Sequence, residues 1–455
     1  MIAFLFLTFN RIFFFSAVLE MLTILGGIRY ADRVFRAWNL QPKVYTVDEH
    51  KIAPDKMDQH AHYVIQKLRQ GGHHAYLVGG GVRDLLLGQK PKDFDISTSA
   101  KPEEIRAIFR NCILIGRRFR LAHIRFGKKI IEVSTFRAGA TEEAGLILRD
   151  NEWGSEEQDV LRRDFTINGL FYDPEGQKVI DYVGGYPDLE KGILRAIGQP
   201  DIRFMQDPVR MIRLIKFCAR FQFKIDPPTF EALLQCKGEI LKSSSARIFE
   251  ELLRMLESGA SRPFFHLLNE YGLLNPLSPP LSRFLSRPEN PCFQLLEAID
   301  EEVKKDLSAP LDRSLLLSAL IFPLFNEALQ EKMRGQQNPP HLGQIAEATY
   351  EMIDQIFAPF FNIPRRMRGI IGFLVTSQYR FTPIDGRLTR RPRASRDPLF
   401  PMALHLLKFR STAEPQFLPS YLMWTEASFA SHEPPEAGPP QRKRRRRRRR
   451  RENPL

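Results

Sequence analysis

Leu77-Val78-Gly79-Gly80-Gly81-Val82-Arg83-Asp84 and, a few residues on, Asp93-Phe94-Asp95 are the stretches on which the reading of this chain turns. Ala75 to Val78 is a short apolar run with the look of a strand. It enters three glycines, and Val82 to Leu87 then reads as a helix closed by Gly88. Strand, glycine turn and helix in that order suit a phosphate, because glycines let backbone N–H groups approach an anion at a helix N-terminus. Alone, such a turn is often only a turn. The next segment sharpens it. Lys92 to Thr98 alternates polar and apolar residues, the period of a half-buried strand. Phe94 and Ile96 then point to a core, and Asp93 and Asp95 share the other face. Two like charges held close are unfavourable unless a cation or a shared proton offsets them. Two solvated aspartates on an exposed strand would give the same letters. With the glycine turn only a dozen residues upstream, the pair instead fits a Mg²⁺-nucleotide site.

Working outward, Met57 to Gln70 has a helical pattern that Gly71-Gly72 ends. Further strands are expected over Ile113 to Gly116, Leu121 to Phe126 and Ile130 to Thr135. Glu132 lies on the opposite face from Ile131 and Val133, either as a third carboxylate or as a solvated side chain. Gly116-Arg117-Arg118-Phe119-Arg120 sets an aromatic among cations, suited to gripping phosphates and stacking; a solvated loop fits it equally well. In Leu161 to Leu170, Arg162 and Arg163 stand beside Asp164. Such a group can bind phosphate while the carboxylate takes a hydroxyl or a metal, or it can be a surface ion pair.

Beyond Val183 the pattern is nearly all helix. Asp207-Pro208 reads as a helix start, with Asp207 as N-cap and Pro208 at the first position. Met211, Leu214, Ile215 and Cys218 make its apolar stripe. Arg210, Arg213, Lys216 and Arg220 fall together on another face, where four cations require an anionic partner or acidic neighbours. Helical blocks run to about Leu274 and on to about Leu407, with Pro-rich connections at Asn275 to Pro291, Arg334 to Gly343 and Pro383 to Pro398.

The composition belongs to an ordinary multi-domain globular chain: 455 residues, 43% hydrophobic and 26% charged. The net charge is +14, but Arg442 to Arg451 holds ten consecutive cations, so everything else carries only +4. That tail, with nothing to bury from Ser431 onward, reads as a disordered polycation for nucleic acid, or more weakly for anionic lipid. Cys112, Cys218, Cys236 and Cys292 have no CxxC spacing, which argues against zinc or redox chemistry and for small buried hydrophobes in a reducing cytosol. His60, His62, His73 and His74 read as surface or loop residues. Met1 to Val18 is apolar but interrupted by Asn10 and Arg11, too broken to span a membrane. We read Met21 as the start of translation, with a weak membrane anchor as the alternative.

Taken together, Leu77 to Asp84, Asp93 to Asp95, Arg162 to Asn168 and Asp207 to Arg213 resemble the head and neck motifs of the class II tRNA nucleotidyltransferase/poly(A) polymerase family. The resemblance covers roughly Met57 to Ser261. Gly116 to His123, Leu148 to Asn151 and the arginine-rich C-terminus look like the bacterial poly(A) polymerase branch, whereas Arg137 to Gly145 is shorter than that pattern. The resemblance implies an α/β nucleotidyltransferase head with a small mixed sheet, followed by all-α neck, body and tail domains. The boundaries expected are an N-terminal extension over 1–56, a catalytic head over 57–183, a neck over 184–261, a body over 262–430 and a tail over 431–455.

The resemblance also implies roles. Asp93 and Asp95 would hold two Mg²⁺, and Asp164 would be the leading third carboxylate, with Glu132 as the alternative. Gly80, Gly81 and Arg83 would bind the triphosphate of ATP. Arg163 and Asp164 would contact phosphate and ribose, Asp207 and Arg210 the base edge, and Arg213 would belong to the same nucleotide site. Arg117, Arg118, Arg120, Lys216, Arg220 and the tail residues Arg444 and Arg447 would bind RNA. The implied activity is addition of adenylate to RNA 3′ ends in the cytoplasm, alongside RNA-decay proteins. CCA addition to tRNA uses the same head, and an inactive RNA-binding scaffold is the rival of another class, disfavoured by the intact Asp93/Asp95 pair. Oligomeric state and RNA preference are not legible in these residues.

Overall fold

The computed structural model describes residues 41–116, 121–138, 152–287, 290–306, 310–334, 339–358, 360–384, 386 and 394–430. The chain divides into two compact units, Met1–Ser286 and Arg287–Leu455.

The first unit is built on one mixed sheet. Its strands are β1 (Lys43–Tyr45), β2 (Ala75–Val78), β3 (Asp95–Thr98), β4 (Cys112–Ile115), β5 (Leu121–Phe126), β6 (Lys129–Thr135), β7 (Leu170–Asp173) and β8 (Lys178–Asp181). They run in the order β1-β8-β7-β2-β3-β6-β5-β4. Only β3 and β6 pair in parallel; every other neighbour is antiparallel. Alternation decides the faces: Ile96, Ala122, Ile124, Ile131 and Val133 are fully buried, while Asp95, Arg125, Ile130 and Glu132 are exposed.

Helix α1 (Gln59–Gln70) is started by Asp58, whose carboxylate accepts from the N–H groups of His60 and Ala61, and it buries Ala61, Val64, Ile65 and Leu68. Helix α2 (Gly80–Leu86) leaves β2 directly through Gly79. After the sheet come α3 (Val209–Phe221) and α4 (Ser245–Leu256), and α3 buries Met211, Leu214 and Ile215 as its stripe requires.

Two expectations about helix boundaries are corrected. Asp207 is not the N-cap of α3. It follows a separate helix, Pro200–Gln206, the cap position falls on Pro208, and the Asp207 carboxylate is taken by Arg247 instead of backbone N–H groups. The stretch Asn275 to Pro291 is not merely a connection, since it contains the short helices Leu274–Leu277 and Pro279–Leu285. Pro279 sits in the first turn of the second, where a missing N–H costs nothing. Cys112, Cys236 and Cys292 are buried as expected, but Cys218 is only half-buried.

All the regular structure described in the second unit is helical, with long segments at Pro291–Lys305, Arg313–Met333, Leu342–Phe357, Arg365–Phe381, Phe400–Ala413 and Leu418–Ala430. Its core includes Phe325, Phe381, Phe409 and Trp424. Arg410 is buried there between the rings of Phe322 and Phe417 and donates to Gln378 and Thr382. Among the described residues no helix is long and apolar enough to cross a membrane.

Candidate active site

Asp95 opens β3. It stands opposite Val78 on β2 and, in the parallel pair, opposite Glu132 on β6. Phe94 and Ile96 are buried while Asp93 and Asp95 are exposed, so both aspartates turn away from the core although Asp93 precedes the strand. Asp95 opens onto the cleft, yet the cleft walls crowd it. That desolvation, reinforced by Glu132 and Asp93 and opposed by Arg163, pushes its pKa up to about 6. Neither aspartate accepts a hydrogen bond or forms an ion pair with a described residue, which leaves their oxygens open to a cation. Among the described residues, no three or more His, Cys, Asp or Glu side chains form a complete metal cage.

The glycine turn lies beside them. Gly79 has φ 67°, and a Cβ there would come within 3.2 Å of the Arg163 guanidinium. A Cβ on Gly81 would stand 3.4 Å from the backbone carbonyl of Asp93. The turn and the carboxylate segment thus pack closely because side chains are missing.

Arg83 is buried. Its Nε and Nη2 donate to Asp84 Oδ1 at 3.0 and 2.7 Å, its Nη1 donates to Asn168 Oδ1 at 2.7 Å, and it lies over Phe217 and Phe221. Arg163 donates from Nη2 to Asp159 Oδ2 at 2.9 Å and to Ser97 Oγ at 3.2 Å. Asp164 is buried, accepts from the Phe165 N–H and Asn168 Nδ2, and pairs with Arg213 at 2.7 Å. Burial alone would raise its pKa, but Arg213, the two hydrogen bonds and Arg210 outweigh it and hold the carboxylate below its ordinary range.

The cationic face of α3 has acidic neighbours, the second of the two readings its sequence allowed. Arg213 meets Asp164, Lys216 meets Glu251 at 2.8 Å, and Arg220 stands 3.8 Å from Asp84. Arg210 is buried and donates to the carbonyls of Arg203 and Arg162. Asp207 is held by both guanidinium nitrogens of Arg247 at 3.0 and 2.9 Å.

These side chains line a cleft of roughly 1080 Å³. Ten basic residues border it against four acidic ones, so a polyanion is favoured there. Gly80, Arg83, Asp95, Arg163, Asp164, Asp207, Arg210, Arg213, Lys216 and Arg220 all line it. Gly81 and Asp93, also expected at the site, are not among its lining residues. The buried Nε atoms of Arg163 and Arg213 and the Oγ of Ser243, all on lining residues, have no partner. Arg117, Arg118, Arg120, Arg444 and Arg447 lie outside the described residues.

Three lining or supporting residues were not singled out in the sequence. Asp159 is fully buried and holds both Arg162 and Arg163. Its place three and four residues before those arginines was a readable signal. Asn168, between Arg83 and Asp164, stood in the Arg162–Asn168 motif with no role of its own, and Arg247, drawn to Asp207 from forty residues away, gave no signal.

Two family models match the chain: Poly A polymerase head domain over residues 75–195, and Probable RNA and SrmB-binding site of polymerase A over residues 222–285. Poly(A) polymerase I of Escherichia coli O157:H7 is 36% identical over 393 residues, covering 82% of this chain and 83% of its own. The CCA-adding enzyme of Streptococcus suis is 39% identical over 202 residues, but these are 44% of this chain and 49% of that one. Among solved structures, the Bacillus stearothermophilus CCA-adding enzyme in complex with CTP superposes with a TM-score of 0.60 at 27% identity, covering 82% of each chain.

Proposed function

This chain belongs to the bacterial poly(A) polymerase family and is a nucleotidyltransferase, and we propose that it adds adenylate from ATP to RNA 3′ ends without a template, releasing pyrophosphate. The observation that carries the reading is the pair Asp95 and Glu132, set opposite each other on β3 and β6, in a cleft otherwise dominated by cations, with Asp93 two residues before Asp95. The setting is cytoplasmic RNA processing and decay.

Asp93 and Asp95 would hold two Mg²⁺. Glu132 is the better third carboxylate, because it faces Asp95 across the parallel pair and meets only the His123 ring, at 3.4 Å, among the described residues, while both oxygens of Asp164 are engaged by Asn168, the Phe165 N–H and Arg213. Bound there, the ions would lower the pKa of the RNA 3′-hydroxyl and neutralise charge developing on the triphosphate. The chain supplies the rest. Backbone N–H groups of the Gly79–Gly81 turn and the Arg163 guanidinium would grip the phosphates. Arg83, tied to Asp84 and Asn168, would fix the floor of that cradle and add positive charge from below. Asp207, Arg210 and the Arg247 paired with Asp207 would meet the base edge, while Arg213, Lys216 and Arg220 would extend a basic wall for phosphate and RNA.

Given Mg²⁺, a generic RNA and each of the four NTPs separately, the protein should make long, heterogeneous extensions with ATP alone. Extension confined to tRNA with CTP required first would assign it to CCA addition. RNA binding without any transfer would make it a scaffold.

A further inference from the structure

In-line phosphoryl transfer places the attacking and leaving oxygens on opposite sides of the reacting phosphorus. On the reading above, the triphosphate lies on the β2 side of the carboxylates, against Gly79–Gly81 and Arg163. The RNA 3′ end must then arrive from the other side. Sheet order fixes what is there: past β3 come β6, β5 and finally the edge strand β4.

One cross-strand row runs Asp95, Glu132, His123, Ile113 by direct register. The adjoining row pairs Leu121 with Ile115. Alternation puts all six side chains on the sheet face that carries the carboxylates. Ile113 and Ile115 are each 42% exposed, and Leu121 lines the cleft itself. Arg125 is on the same face and forms no ion pair with a described residue. This apolar strip with a free cation at its flank is therefore continuous with the reaction centre.

We propose that Ile113, Ile115 and Leu121 form a platform on which the last nucleotides of the RNA primer lie, with Arg125 beside their phosphates. From Asp95 to Ile113 the row crosses three strand spacings, about 14 Å. That length reaches past the terminal nucleotide, so more than one base can lie along it. Apolar side chains pack against base faces without regard to sequence, which suits an enzyme whose primer end changes with every addition.

The test pairs crosslinking with kinetics. An RNA carrying 4-thiouridine at its last three positions is irradiated with the full-length protein, and the modified peptide is mapped. The platform requires crosslinks within 112–116 or 121–125, and crosslinks confined to 117–120 count against it. Ile113→Ser/Ile115→Ser should raise KM for RNA about tenfold, leave ATP binding measured without RNA unchanged, and keep the thermal unfolding midpoint. Ile113→Val/Ile115→Val should restore KM. Crosslinks that map elsewhere, absence of any crosslink, or an unchanged KM in the folded Ser variant overturns the platform. The two readings fail separately: crosslinks within 112–116 or 121–125 by a protein that transfers no nucleotide would keep the platform and remove the polymerase assignment. Normal ATP-dependent extension with crosslinks elsewhere would do the reverse.

Discussion

Asp95 carries an electrostatic burden that Arg163 relieves only in part. Its pKa is raised to about 6 by crowding in the cleft and by Glu132 and Asp93. The folded state therefore binds a proton that the unfolded chain has lost, over the interval from about 4 to about 6. Stability from this group is fully present below the unfolded value and falls as pH rises through 6. In the absence of divalent cations, Asp95→Asn should thus be at least as stable as the native chain above pH 6, with a flatter stability profile between pH 4 and 6. The same variant, and Asp93→Ala, should lose nucleotide transfer altogether. Unfolding midpoints across pH, set beside transfer rates, check both halves. A destabilised Asp95→Asn protein would show that the carboxylate is held by contacts rather than strained by repulsion. Asp164 has the opposite sign, and Asp164→Asn should cost ~2 kcal/mol at neutral pH by leaving Arg213 without its partner. Urea titration of the two proteins measures it.

Elements place these residues, and most of the elements were legible. The alternation over Lys92 to Thr98 and Ile130 to Thr135 gave the correct faces of Asp95 and Glu132. The strand–glycine–helix order gave β2 and α2, with Gly79 at the positive φ that the turn needs. What no local pattern contains is register: nothing in the sequence sets Glu132 opposite Asp95 while leaving Asp164 on another wall, because that depends on a parallel pairing between strands thirty-odd residues apart. The same holds for the α3 cations. Their spacing was visible, but Asp84, Asp164 and Glu251 come to them from α2, the segment after Leu161 and α4. Asp207 failed as an N-cap for a related reason, since a guanidinium forty residues away outcompeted the local backbone.

The short helix Glu156–Leu161 shows how an element serves the site without touching substrate. Its Asp159 is fully buried, and Arg163 and Arg162 together outweigh burial and keep its pKa below the ordinary range. Its stabilising charge is therefore present above the unfolded pKa and is lost as pH falls through the folded one. Asp159→Asn should destabilise the protein by about 3 kcal/mol and lower kcat/KM for ATP at least about tenfold through a misplaced Arg163. A double-mutant cycle with Arg163→Ala separates positioning from folding. Effects on kcat/KM that simply add would show that Asp159 does not act through Arg163.

At the scale of the whole molecule, charge is unevenly distributed. The cleft concentrates ten basic residues in the first unit, yet the acidic partners of α3 neutralise much of that face. The largest surplus is the run Arg442 to Arg451, which lies outside the described residues and holds ten of the fourteen net positive charges. Consecutive cations bind RNA through phosphate, without sequence preference, and each contact to a single strand lowers the slope of log K against log[salt] by about 0.7. If roughly half of the run engages, ending the chain after Pro440 should flatten that slope by about 3 or 4 units. Affinity at low salt should drop, while turnover at saturating RNA should change little, because Asp93, Asp95 and the glycine turn are all in the first unit. RNA affinity measured over a salt series, with and without the run, gives the comparison. Superimposable slopes would mean that the polycation serves another polyanion, and the cleft would then have to account for all of the RNA affinity by itself.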